Sequence, residues 1–232
     1  MKKNILIIGG SKGIGGSLVT QLQESHEVYV AARTSGQLDL NKVHFLPFDV
    51  LTQSLEELSL PEVVDAFVYC PGTINLRPIN SLKIQNFQDD MELNFFSLVR
   101  SFKAVLPRLQ KSSQGAALFF STVAPTTGMP YHASISAAKG AIEAFARSIA
   151  AELAPKIRVN VIAPSLSNTE LASKFLNNEA KMEQAKERNP LKMVGDPVQL
   201  AKTASFLISE DACWITGQVI HVDGGMSTLK IN

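Results

Sequence analysis

Cysteine is nearly absent: Cys70 and Cys213 are the only two in 232 residues. They lie far apart, form no Cys-x2-Cys pair and have no histidine at a metal-ligand spacing. This excludes a disulfide framework and a cysteine-based zinc site, and it fits a reducing compartment. The four histidines, His26, His44, His132 and His221, are equally dispersed, so no metal centre is expected. An excess of one charge is also lacking. The formal net charge is +1 and the lysines and arginines are scattered, so a nucleic-acid or anionic-membrane partner is not expected. No run approaches the roughly 18 apolar residues of a membrane span. After Met1-Lys2-Lys3-Asn4 only Ile5 to Ile8 are apolar, too few for a signal-peptide core, and the expected location is cytoplasmic.

What is present is regular. With 45% hydrophobic residues the chain can bury a sizeable core as a single domain spanning 1–232, and no shift of composition marks a second one. Asn4 to Ile8 reads as a short buried strand, Ser17 to Gln23 as a helix after a glycine-rich turn, and Glu27 to Ala32 as a second strand. Val43 to Phe48 and Val64 to Tyr69 read as further strands. Phe87 to Leu109 carries apolar residues at helical intervals. Strand Ala116 to Ser121, an Ala-rich helix over Ser134 to Leu153 and strand Ile157 to Ala163 follow. Pro197 to Ile208 reads as a helix capped by Asp196, before a last strand, Gln218 to Val222. Strands alternating with helices through short connections predict an α/β Rossmann fold, doubly wound, with a parallel sheet and helices on both faces. Between the last two strands, 168–192 is polar, largely helical and placed where a substrate lid would sit.

The turn Gly9-Gly10-Ser11-Lys12-Gly13-Ile14-Gly15 stands between the first strand and the first helix. Glycine permits close backbone approach, and a helix N-terminus offers unpaired N–H groups and a positive dipole to a pyrophosphate. The second strand ends Ala31-Ala32-Arg33, without the carboxylate that would bind free ribose hydroxyls. Arg33 instead offers a fork of donors for a 2′-phosphate and Lys12 a second cation, which favours NADP(H) over NAD(H). Asp49-Val50, after the third strand, are candidates to meet the adenine.

On these residues the chain resembles the short-chain dehydrogenase/reductase family. The resemblance extends to Asn94, Lys139-Gly140-Ala141, Arg158 to Pro164, Ile215-Thr216-Gly217-Gln218 and His221 to Gly225, and so covers nearly the whole chain. It implies a seven-stranded sheet, a small-molecule substrate, a homodimer or homotetramer, and hydride transfer between nicotinamide and an alcohol or carbonyl carbon. It also assigns Gly72, Pro164 and Thr169 to the cofactor site, Lys139 to the nicotinamide ribose and Asn94 to a water relay.

The family's proton donor is a tyrosine four residues before the lysine. Here that position holds Ile135, which has no proton to give. Counting back about thirteen residues from Ile135, the serine that orients the substrate oxygen falls on Thr122. Tyr131 and His132 stand just upstream, and imidazole is suited to proton transfer near neutrality. His132 is seven residues before Lys139, the spacing at which the family's enoyl reductases carry their tyrosine. Two readings follow: an NADP(H)-dependent oxidoreductase acting on a small carbonyl, alcohol or enone with a nonstandard proton donor, or a nucleotide-binding sensor or assembly subunit without turnover. Lys139 and Asn94 favour the first, Ile135 the second.

Overall fold

The computed structural model describes residues 2–230. Seven parallel strands form one sheet: β1 (Asn4–Ile8), β2 (Glu27–Ala32), β3 (His44–Pro47), β4 (Ala66–Tyr69), β5 (Gly115–Phe120), β6 (Ile157–Pro164) and β7 (Val219–Val222). Their spatial order is β3-β2-β1-β4-β5-β6-β7, the doubly wound Rossmann arrangement. Period-two alternation sends successive side chains to opposite faces. Ile5 and Ile7 of β1 join Leu18, Val19 and Leu22 of α1 (Gly13–Leu22) in one core. Leu6 and Ile8 join the opposite core, with Leu98, Phe102 and Val105 of α3 (Ser97–Leu109).

The helices largely follow the periodicity of the sequence. The first begins at Gly13, a turn earlier than the apolar pattern suggests, because Gly13 to Gly16 contribute backbone but no apolar stripe. This places its N-terminus directly in the glycine-rich turn. The middle helix is not uniform: α2 (Ile84–Met91) passes into a π turn over Glu92–Phe96 before α3. A short helix, α4 (Ala124–Thr127), occupies part of the expected loop after β5 and ends at Gly128 in the left-handed region. Helix α5 (Ala133–Leu153) then runs back along the sheet. A 3₁₀ segment, Glu170–Phe175, and α6 (Glu179–Glu187) follow β6, and α7 (Pro197–Ile208) packs against α1, with Asp196 accepting from the Val198 N–H as its N-cap.

The chain reverses its winding direction between β1 and β4, so the crevice beyond their carboxyl ends is where a ligand binds in this architecture. Among the described residues no helix is long and apolar enough to cross a membrane, and no cluster of three potential metal ligands occurs.

Candidate active site

A cavity of about 550 Å³ opens at that crevice. Its floor is the turn after β1. Gly9 and Gly13 have φ of 76° and 55°, a region costly for other residues. A Cβ on Gly15 would stand 2.5 Å from the Gly9 carbonyl oxygen, so the turn can only close if α1 starts with bare backbone. Gly9, Lys12, Gly13, Ile14 and Gly15 all line the cavity, presenting backbone and a helix N-terminus to it. That is the cradle a dinucleotide pyrophosphate requires. Ser11 is half-buried beneath Gly36, where a Cβ would meet the Ser11 carbonyl oxygen at 2.5 Å.

Gly72, in the loop after β4, faces Lys139 and Asn94. A Cβ there would lie 3.2 Å from Lys139 Nζ and 3.3 Å from Asn94 Oδ1, so glycine leaves room for both. Lys139 reaches the cavity from α5 and its ammonium donates to the Phe120 carbonyl at 3.0 Å, which leaves two protons for other acceptors. Burial pushes its pKa down to about 8, against a smaller upward pull from Cys70 and Asp90. Cys70 also lines the cavity, and burial pushes its thiol up to about 12, so it stays protonated and inert.

His132, Ile135 and Lys139 stand at i, i+3 and i+7 and line the same cavity wall. The Ile135 side chain is buried, and so an apolar group occupies the slot beside Lys139. His132 is the residue before the first turn of α5. Its Nδ1–H donates to the Pro130 carbonyl at 2.7 Å, since a carbonyl can only accept, and Nε2 is left for another partner. Thr122, at the end of β5, lines the cavity with its hydroxyl 3.4 Å from the Pro164 carbonyl oxygen. Pro164 and Thr169 complete the wall, Thr169 packing within 3.5 Å of where a Gly13 Cβ would be.

Tyr131 does not join this group. Its φ of 69° turns it outward, 59% exposed, into a separate shallow depression beside Arg77 and Ile79. Arg33 is exposed immediately after β2, and Asp49 and Val50 follow β3, all outside the cavity but along the same row of strand ends. Asp49 caps its own turn, accepting from the Leu51 N–H at 3.0 Å. Lys12 is held by Glu170 at 2.7 Å, an exposed ion pair that ties the cofactor turn to the segment after β6.

Asn94 is fully buried behind Gly72 rather than on the cavity wall. The π turn aims its amide, which donates to the Asp90 carbonyl at 2.8 Å and to Thr73 Oγ1 at 2.9 Å. Such turns recur at functional sites because they expose backbone groups that a regular helix would consume. Asp90 and Thr73 are site residues that sequence reasoning missed. The Asp90 carboxylate, wholly buried, accepts from Thr73 Oγ1 at 2.7 Å, Asn75 Nδ2 at 2.7 Å and Ser134 Oγ at 2.6 Å. It thereby joins the loop after β4 to the first turn of α5. The available signal was a charged residue at i−4 from Asn94 on the buried face of an amphipathic helix.

A family model described as enoyl-(acyl carrier protein) reductase matches residues 50–227, most of the chain and most of this site. The chain belongs to the short-chain dehydrogenase/reductase family. Similar members of this oxidoreductase family include a tropinone reductase homolog from Arabidopsis thaliana, 32% identical over 97% of this chain and 92% of its own. A 3-oxoacyl-[acyl-carrier-protein] reductase from Vibrio cholerae is 30% identical over 97% of each chain. Among solved structures, ElxO with NADP bound superposes with a TM-score of 0.89 at 25% identity, covering 99% of this chain and 100% of that one.

Proposed function

We propose that this protein is an NADP(H)-dependent oxidoreductase that reduces or oxidises a small carbonyl, alcohol or enone, using a proton donor other than tyrosine. The observation that carries the reading is the convergence of the Gly9–Gly15 turn, Gly72 and Lys139 on one cavity, with Asn94 behind it. When bound, the nicotinamide supplies or accepts hydride at its C4.

The remaining roles belong to the chain. The turn residues Gly9, Ser11, Gly13, Ile14 and Gly15 hold the pyrophosphate, Asp49-Val50 meet the adenine, and Pro164 with Thr169 flank the nicotinamide. Lys139 holds the ribose, and Gly72 leaves the space for it. Arg33 and Lys12 take the 2′-phosphate; Lys12 exchanges Glu170 for it at little cost, because an exposed ion pair contributes little. Arg33→Ala is expected to lower NADPH affinity by roughly 10–100-fold, the worth of a charge-assisted bidentate contact, while leaving NADH affinity unchanged. Equal effects on the two nucleotides in calorimetry would remove the 2′-phosphate assignment.

Thr122 orients the substrate oxygen and the His132 imidazolium protonates it. The support is His132's anchored Nδ1, its free Nε2 and its place on the face shared with Lys139. His132→Ala should slow single-turnover NADPH oxidation by about 10²-fold without weakening NADPH binding. An unchanged rate would transfer the acid role away from this imidazole. Residues 168–192 serve as the lid. Two free cysteines support a cytoplasmic setting, and Trp214, 97% exposed, with Phe96, 46% exposed, supports a homodimer or homotetramer.

A further inference from the structure

We infer that the substrate is an amphiphile: an apolar carbonyl compound bearing a carboxylate or other anionic group, which three cations of the segment over the cavity are arranged to receive. The inference rests on reading this cavity as the substrate site, and it adds the substrate's chemical class.

The first observation is a separation of charge within one short segment. Lys181, Gln184, Ala185 and Arg188 are spaced i, i+3, i+4 and i+7 along α6 and its C-cap, and all four line the cavity. Lys174, in the preceding 3₁₀ segment, lines it too. Three of the segment's acids are engaged elsewhere: Glu170 with Lys12 at 2.7 Å, Glu183 with Lys186 at 3.0 Å and Glu187 with Lys192 at 3.0 Å. Among the described residues Lys174, Lys181 and Arg188 form no ion pair, and no aspartate or glutamate lines the cavity. Lys174 and Lys181 are held by neutral groups, the Lys174 ammonium also lying 4.9 Å from the centroid of the Phe175 ring. Lys174 Nζ donates to the Ile74 carbonyl at 2.9 Å, and Lys181 Nζ to the Lys174 carbonyl at 3.2 Å and Asn177 Oδ1 at 3.0 Å. These bonds aim the ammonium groups without neutralising them.

Helix electrostatics do not account for the pattern. A cation near the end of α6, such as Arg188, is favoured by the helix dipole, but Lys181 sits in the first turn, where the dipole opposes it. Below the cations the walls are apolar: Ile74, Leu76, Met129, Ile135, Phe175 and Met193. A neutral apolar substrate would make no use of the three solvent-exposed cations at the cavity rim, and a cationic one would be repelled. An anionic head on an apolar body satisfies both zones, with the charge at the solvent side and the carbonyl near Thr122 and Lys139.

Titration of the NADPH-loaded protein with octanoate and with octanamide tests this by calorimetry, independently of turnover. Octanoate should bind about tenfold more tightly at low salt, and added salt should shrink the difference, as expected for solvent-exposed charges. The Lys181→Gln/Arg188→Gln double variant should lose the preference and keep its NADPH affinity. Equal binding of the two probes, or no binding of octanoate, overturns the inference. So does a double variant whose main loss is in NADPH affinity, since the cations would then serve the cofactor. The oxidoreductase reading fails separately: no ketone, neutral or anionic, would oxidise NADPH even though octanoate kept its advantage.

Discussion

Replacing Ile135 by tyrosine in the His132→Ala background should raise the rate of ketone reduction by on the order of 10²–10⁴-fold, the usual contribution of a positioned general acid. The residue stands four before Lys139 on α5 and lines the same cavity wall, so a phenol there would have the lysine ammonium as its neighbour. A cation beside a phenol favours its ionised form and brings it closer to the working range of an acid–base catalyst. Tyrosine is larger than isoleucine and the site is buried, so some overpacking, about 1–3 kcal/mol, is expected and a lowered Tm should accompany the gain. Single-turnover NADPH oxidation with a simple ketone reads the effect. A folded variant with intact NADPH binding and no gain would show that the protein's pocket has moved away from the tyrosine-dependent geometry altogether.

The second large effect is at Lys139. Lys139→Met removes the ammonium that bonds the Phe120 carbonyl and is proposed to hold the ribose, and turnover should fall by about 10²–10⁴-fold with weaker NADPH binding. The pH dependence has a definite sign. Burial lowers this lysine to about 8, so the ammonium is fully present below that pH and is lost as pH rises through it. The kcat/KM profile, which reports the free enzyme, should decline on its alkaline side near pH 8. Phosphate groups of bound nucleotide favour the ammonium, so the decline in kcat should lie at higher pH than that in kcat/KM. Lys139→Met should lose this limb near pH 8 and keep only the one imposed by loss of the His132 acid. A wild-type profile flat through pH 9 would mean that the lysine's charge is not used.

These two residues were legible in the sequence, as was the sheet, because alternation and the glycine-rich turn are local signals. Ile5 to Ile8 can be assigned to the strand, and Gly9 to Gly15 to a tight turn into a helix, without knowing what packs on them. The π turn was not legible: Met91, Phe95 and Leu98 keep an apolar stripe at helical intervals through it, and the bonds of the Asn94 amide to the Asp90 carbonyl and to Thr73 form only in the folded chain. Asp90 was missed because its partners Thr73, Asn75 and Ser134 come from two other segments. The Lys12–Glu170 pair joins residues separated by 158 positions, which no local pattern encodes. Tyr131 illustrates the converse limit. Its proximity to His132 in sequence suggested a shared site, whereas its left-handed backbone places it in the depression beside Arg77 and Ile79.

The same distinction applies to function. The charge pattern of α6 was visible as a polar helix, but which of its faces meets the cavity depends on how the segment after β6 folds back over the crevice.

The central claim is that a cavity without the family's tyrosine still supports hydride transfer from NADPH. Incubating the protein with NADPH deuterated at the transferring C4 position and a panel of ketones and enones, neutral and anionic, tests it directly by mass spectrometry of the products. The account predicts one deuterium on the reduced carbon, with label lost in Lys139→Met. Tight NADPH binding with no deuterium in any product would contradict it and leave a nucleotide-binding protein without turnover.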